Sequence, residues 1–335
     1  MSAAPQEPPA PRDAPDRAPQ TPPRPKRLLL HVGLFLATFL TTTAAGAILM
    51  HARAGVEGWE AILPIADGLS YSLPLMLILL SHELGHYLVA RWHGVDASLP
   101  YFIPLPPTFG LGTMGAVIGM RNVTSDRKKL IDIGAAGPLA GLLVAVPVIL
   151  YGLHRSPVGP LVAGAEQEGN SLLYALLKFV ATGAWLPDGK RDVFLHPTAW
   201  AGWVGLLVTM INLIPAVQLD GGHVAYALFG ERQERYSRRM RAALLPIALC
   251  VSLAYGLGAY LAGAHGELLL NGFAPGLHWL LWWFLLRLMT RRGRREHPRT
   301  DAGELSPRRR AVAWATLALF VALFMPAWLR QVPPS

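Results

Sequence analysis

Cysteine and charge are what this sequence has least of. Its one cysteine, Cys250, excludes an intrachain disulfide and a cysteine-built metal framework, and it is expected to pack in lipid or core rather than react. Charged residues make up only 15 % of the 335, too few for the solvated surface of a soluble domain, where roughly 25 % is usual. What replaces them is apolar. The chain is 52 % hydrophobic, its mean hydropathy is +0.34, and several uninterrupted runs approach the ~20 residues that a membrane-crossing helix needs. A net charge of +9 raises nucleic acid as a partner, but the basic residues sit beside the apolar runs, where membrane topology places them, so no nucleic-acid partner is expected. No cleavable signal peptide is expected either, because the first apolar run begins late and is too long for a signal core.

Seven spans are expected, near residues 28–50, 69–90, 130–151, 199–217, 242–262, 273–289 and 311–329. With the N-terminus in the cytoplasm, most of the 30 basic residues fall on that side, including Arg24, Lys26, Arg27, Arg91, Lys128, Lys129, Arg235, Arg238 and Arg239. The positive-inside rule therefore favours this orientation, and a bacterial inner membrane is the expected setting. Residues 1–24, rich in Pro, Ala and charge, are expected to form a disordered tail. The rest divides into a first helix and loop (25–68), a core (69–229) and C-terminal helices with basic loops (230–335).

The chemistry is concentrated in His-Glu-Leu-Gly-His at residues 82–86, inside the second apolar run. On a helix, residues four apart share a face, so His82 and His86 project together with Glu83 beside them. Two imidazoles at that spacing can hold one Zn²⁺, and the carboxylate can act as a base toward water. Ionisable groups are costly among lipid tails, which points to function. A second signal is Asn-Leu-Ile-Pro-Ala-Val-Gln-Leu-Asp-Gly-Gly at 212–222. Pro215 breaks or kinks the fourth span, and Asp220 follows. It serves either as a turn residue before Gly221-Gly222 or as the oxygen ligand that a two-histidine zinc site lacks. The expected topology brings both motifs toward the same leaflet.

With both motifs in view, the chain resembles the site-2 protease family of intramembrane zinc metalloproteases, specifically the branch without a PDZ module, since about 45 residues at 152–198 cannot hold one. His82, Glu83 and His86 match that family's H-E-x-x-H, and Asp220 matches the aspartate of its L-D-G motif, reached through the stretch beginning at Asn212. The resemblance covers about residues 69–229. It implies an all-α polytopic membrane protein, one Zn²⁺ held by His82, His86 and Asp220, Glu83 as the catalytic base, and transmembrane proteins as substrates within the lipid bilayer. Its implied reaction is peptide-bond hydrolysis near the cytoplasmic face. A zinc-binding protein without proteolysis, either a pseudoprotease or a metal transporter, is the alternative.

Residues 98–120 read as neither helix nor surface loop. Pro100, Pro104, Pro106 and Pro107 forbid a continuous helix, yet the stretch is apolar. A re-entrant loop or short β-hairpin lining the metal site is expected, with a loop on the membrane surface as the other option. Such a hairpin could offer an edge to an extended substrate at Gly112, Thr113, Met114 and Gly115, with Asn212 able to bond the substrate backbone or brace the broken helix. Gly134, Gly137 and Gly141 suggest close helix packing, the tryptophans 279, 282 and 283 suggest interfacial anchors, and His223 is left outside the ligand set.

Overall fold

The structure is a computed structural model that describes residues 25–52, 60, 62, 64–120, 126–290, 297, 300 and 303–334. The expected disordered tail at 1–24 lies outside these residues. Five helical segments are long and apolar enough to cross a membrane, at 27–51, 65–92, 127–154, 220–261 and 266–289, which makes this a multi-pass membrane protein. They contain or closely overlap five of the expected spans. The fourth and seventh expected spans are helical over α5 (Pro197–Asn212, 16 residues) and α10 (Pro307–Leu323, 17 residues). At helical rise each is about 25 Å long, somewhat short of the ~30 Å hydrocarbon layer.

Three helices position the site: α2 (Leu69–Trp92), α3 (Arg127–His154) and α5. Helix α3 starts where Asp126 accepts from the Lys128 amide, and α5 starts with Pro197 in its first turn behind an N-capping His196. Helices α2 and α5 run parallel and begin level, because the Thr198 hydroxyl donates to the Ser70 carbonyl at 2.9 Å. Equal rise then puts the last residue of α5, Asn212, level with the middle of the 82–86 motif, about 21 Å further along. So α5 stops at the depth of the candidate ligands rather than running past them.

Helix α1 (Pro25–Ala52) carries the hairpin. Strands β1 (Tyr101–Pro104) and β2 (Thr113–Val117) pair antiparallel, with Tyr101 opposite Val117 and a register shift between Phe102 and Pro104. The Pro100 carbonyl meets His31 Nδ1 at 3.0 Å, while the Thr41 hydroxyl donates to the Gly112 carbonyl at 2.7 Å. His31 and Thr41 lie ten residues, or about 15 Å, apart along α1, so the hairpin descends about half a bilayer. At its tip the Tyr71 hydroxyl of α2 donates to the Leu111 carbonyl at 3.0 Å. Non-helical backbone is tolerated at this depth because protein surrounds it. The expected re-entrant element is therefore a β-hairpin seated between α1 and α2.

Between α3 and α5 lie β3 (Val158–Pro160), β4 (Glu166–Glu168), α4 (Leu172–Thr182) and β5 (Arg191–Val193). Strand β3 pairs with β5, and β4 pairs with β6 (Leu329–Gln331) near the C-terminus. A fully buried Lys178 holds this unit together. Its ammonium lies 2.7 Å from Glu168 and 3.1 Å from Asp192, and the Tyr174 hydroxyl donates to Glu168 at 3.0 Å. Burial pushes the Glu168 carboxyl above its usual range, and the Lys178 ammonium pulls it back. Helix α6 (Asp220–Phe229) follows α5, and α7 (Gln233–Leu261), α8 (Gly266–Phe273) and α9 (Leu277–Met289) complete the C-terminal half with α10. One expectation here is corrected. Trp279 is no interfacial anchor: it is fully buried, its indole N–H donates to the Pro326 carbonyl at 2.7 Å, and Phe324 stacks on it. Cys250 is exposed on α7, among apolar neighbours.

Replacing Lys178 by Met leaves two carboxylates buried without their cation. The expected loss is about 3–5 kcal/mol of stability. Thermal unfolding and limited proteolysis of the detergent-solubilised variant check this, with the first cuts expected at residues 156–196.

Candidate metal centre

Helix α2 is apolar on nearly every face, and the 82–86 motif lies near its midpoint. His82, Glu83 and His86 are all buried, between 4 % and 5 % exposed. The two Nε2 atoms are 3.2 Å apart, and each is 3.1 Å from Oδ2 of Asp220. One ligand atom from each of these three residues lies within 4.8 Å of the others, the only such group among the described residues. Two imidazole nitrogens and a carboxylate oxygen suit Zn²⁺, leaving room for a fourth position. The outer contacts support that fit. Nδ1 of His86 bonds the Ile133 carbonyl at 2.7 Å, and a carbonyl can only accept, so the proton sits on Nδ1 and the Nε2 lone pair faces the cluster.

Asp220 reaches this point because the chain breaks and restarts. Pro215 has no amide proton, and a residue before proline avoids helical backbone, so α5 ends at Asn212. Val217 takes a left-handed φ of 55°, a strained conformation for a β-branched residue, and its amide donates to the Ser237 hydroxyl of α7 at 3.1 Å. Helix α6 then begins at Asp220, with its carboxylate turned to the histidines. The two glycines that follow have a packing reason: a Cβ at Gly221 would lie 2.0 Å from the Leu213 carbonyl oxygen, and one at Gly222 would lie 2.3 Å from that of Val217. Asp220 is thus no turn residue; it is the first residue of a helix folded back onto the break.

Helix α3 closes the other side, antiparallel to α2. A Cβ at Gly137 would sit 2.1 Å from Nε2 of His86, and one at Gly141 would sit 3.2 Å from Nδ1 of His82. The small-residue spacing on α3 is therefore the wall of the metal centre. Glu83 differs from the ligands: it is 5 % exposed, yet it makes no hydrogen bond to any described residue. Its charge lies beside those of His86 and Asp220.

The remaining sequence candidates lie on the hairpin and at the end of α5. Thr113 is buried in β2, and its hydroxyl donates to the Ile103 carbonyl at 3.0 Å. Met114 is 57 % exposed, Gly112 and Gly115 have positive φ, and Gly115 faces Val208 of α5. Asn212 is half-buried at the end of α5. Missed from sequence was Asp132 on α3. It bonds Nε2 of His93, just past the end of α2, at 2.9 Å, and takes Nη2 of Arg309 from α10 at 2.8 Å. Nothing in local spacing links positions 93, 132 and 309.

Comparison with known proteins agrees with this arrangement. The profile of peptidase family M50 matches residues 70–255, a stretch that includes all three candidate ligands and Glu83. The chain belongs to this family. Among its relatives are the probable chloroplastic zinc metalloproteases EGY2 and EGY1 of Arabidopsis thaliana. The first is 34 % identical over 171 residues, covering 50 % of this chain and 30 % of the relative. The second is 31 % identical over 274 residues, covering 80 % of this chain and 44 % of the relative. The chain thus spans less than half the length of these relatives. No solved structure matches it with significance.

The wall of this M50 centre is testable. Gly137→Ala forces the His86 imidazole aside and is expected to weaken Zn²⁺ binding at least about tenfold, the scale of a disturbed supporting contact. Gly141→Ala meets a looser contact and is expected to cost less. Chelator competition on the purified variants gives both affinities.

Proposed function

We propose that this chain is an intramembrane zinc metalloprotease that hydrolyses peptide bonds of transmembrane substrates near the cytoplasmic face. The observation that carries this reading is the convergence of His82, His86 and Asp220 beside a buried Glu83 that makes no hydrogen bond to a described residue. His82, His86 and Asp220 would hold the ion. When bound, Zn²⁺ supplies the Lewis acidity that polarises the scissile carbonyl and makes water a nucleophile at neutral pH. Glu83 takes the proton of the attacking water and delivers it to the nitrogen of the leaving amine. The α2–α3 packing keeps bulk solvent from the site. The edge of β2 away from β1, at Thr113, Met114 and Gly115 with Gly112 just before it, can pair with an unwound substrate strand, with Asn212 as a hydrogen-bond partner for its backbone. Substrate helices must unwind first, because a helix hides its carbonyls in its own hydrogen bonds.

The core at 69–229 is the catalytic unit of this reading, and basic residues at Arg27, Arg91, Lys128 and Arg235 support a cytoplasmic N-terminus. A non-proteolytic zinc protein is disfavoured by Glu83, which neither metal holding nor the fold employs.

Glu83→Gln is expected to keep the zinc content and to lower cleavage of a model transmembrane substrate by about 10²–10⁴-fold, the range for a lost general base. Metal analysis and cleavage rates on the same preparation check it; near wild-type turnover would sink the mechanism.

A further inference from the structure

Helix α6 has a problem that the metal centre alone does not solve. It has ten residues, too few to be stable in isolation, and its candidate ligand is its first residue, where helices fray. The strained break at Val217 precedes it directly. Something must hold its opening turns in place.

Part of the support is α3, where a Cβ at Gly134 would touch the Asp220 carbonyl oxygen and His223 Cβ, both at 3.4 Å. The other part comes from beyond the M50 match. His297, between α9 and α10, is only 1 % exposed. Its Nε2 lies 3.1 Å from Nδ1 of His223, 74 positions earlier in the chain. Its ring stacks on Tyr226 with centroids 4.6 Å apart and planes 10° apart, and meets the His223 ring edge-on at 4.9 Å. His223 and Tyr226 occupy successive turns directly after Asp220. Nδ1 of His297 is buried and has no hydrogen-bond partner among the described residues. An orphaned N–H is rarer than an orphaned acceptor, so the proton belongs on Nε2, which donates to His223. Burial holds this imidazole neutral, pushing its pKa down to about 3. The same segment has a second grip on the core through Arg309, which binds Asp132, and Trp314 packs edge-on against Phe229 at the far end of α6.

We propose that His297 is a positioning residue for the metal centre: by bonding His223 and stacking on Tyr226, it fixes the opening turns of α6 and thereby the Asp220 carboxylate. The inference rests on the reading of Asp220 as a zinc ligand. It makes the C-terminal helices a working part of the enzyme. The M50-matched segment by itself would carry every ligand and still hold Asp220 loosely.

The test uses the full-length chain in detergent with three variants. His297→Leu keeps the volume and removes the polar atoms, His297→Gln restores a donor near Nε2, and Asp220→Ala removes the ligand. Zinc affinity by chelator competition, kcat and KM on a model transmembrane substrate, and the thermal midpoint are measured for each. His297→Leu is expected to weaken zinc binding about tenfold and to lower kcat with KM nearly unchanged. His297→Gln is expected to recover most of both. Wild-type zinc affinity and kcat in His297→Leu would overturn the proposal. So would a loss that tracks a lowered thermal midpoint and is not recovered by His297→Gln, since that assigns His297 to stability alone. Unchanged zinc affinity in Asp220→Ala would instead withdraw the ligand reading on which the inference rests.

Discussion

Two imidazoles and two carboxylates sit in the middle of an apolar helix bundle, and every other feature of the site answers the cost of keeping them there. Desolvating such groups is affordable only when they are paired or hold a metal. His82 and His86 meet the Asp220 carboxylate at 3.1 Å each, and the His86 ring is steadied by the Ile133 carbonyl at 2.7 Å. Glu83 alone among these four makes no hydrogen bond to a described residue, which is what the proposed role as a base requires.

Close approach of backbones is the means. With glycine at 137, α3 can lie against the His86 ring; with glycines at 221 and 222, α6 can fold onto the loop that precedes it. Interhelical packing in membranes relies on small residues for contact because lipid offers no hydrophobic drive. Here the small residues also border the candidate metal centre, Gly137 against His86 and Gly141 against His82. The hairpin follows similar logic: its proline- and glycine-broken backbone reaches half a bilayer deep because α1 and α2 wrap it and donate to its carbonyls at Leu111 and Gly112.

The C-terminal half is joined to this core by polar contacts that span great lengths of chain. Arg309 reaches Asp132, His297 reaches His223, and β6 completes a sheet with β4 beside the buried Lys178. Helices that look like plain membrane anchors are thereby tied to α3 and α6 beside the candidate metal centre. Through these contacts a segment 74 positions away packs against the opening turns of α6.

The approach of His82 and His86, five of the spans and the re-entrant character of residues 98–120 were legible in the sequence, because each rests on local rules. Four-residue spacing puts two histidines on one helical face, proline forbids helix, and apolar length marks a span. The break at Pro215 was legible too, but not the strained turn at Val217 or the restart as a helix at Asp220. Equally hidden were the burial of Trp279, the shared use of Asp132 by His93 and Arg309, and the insertion of His297 beside α6. These depend on which faces meet across 39 to 177 residues of chain, and no periodicity records that. Local sequence thus determined the chemistry on offer, while tertiary packing decided where that chemistry is held and by what.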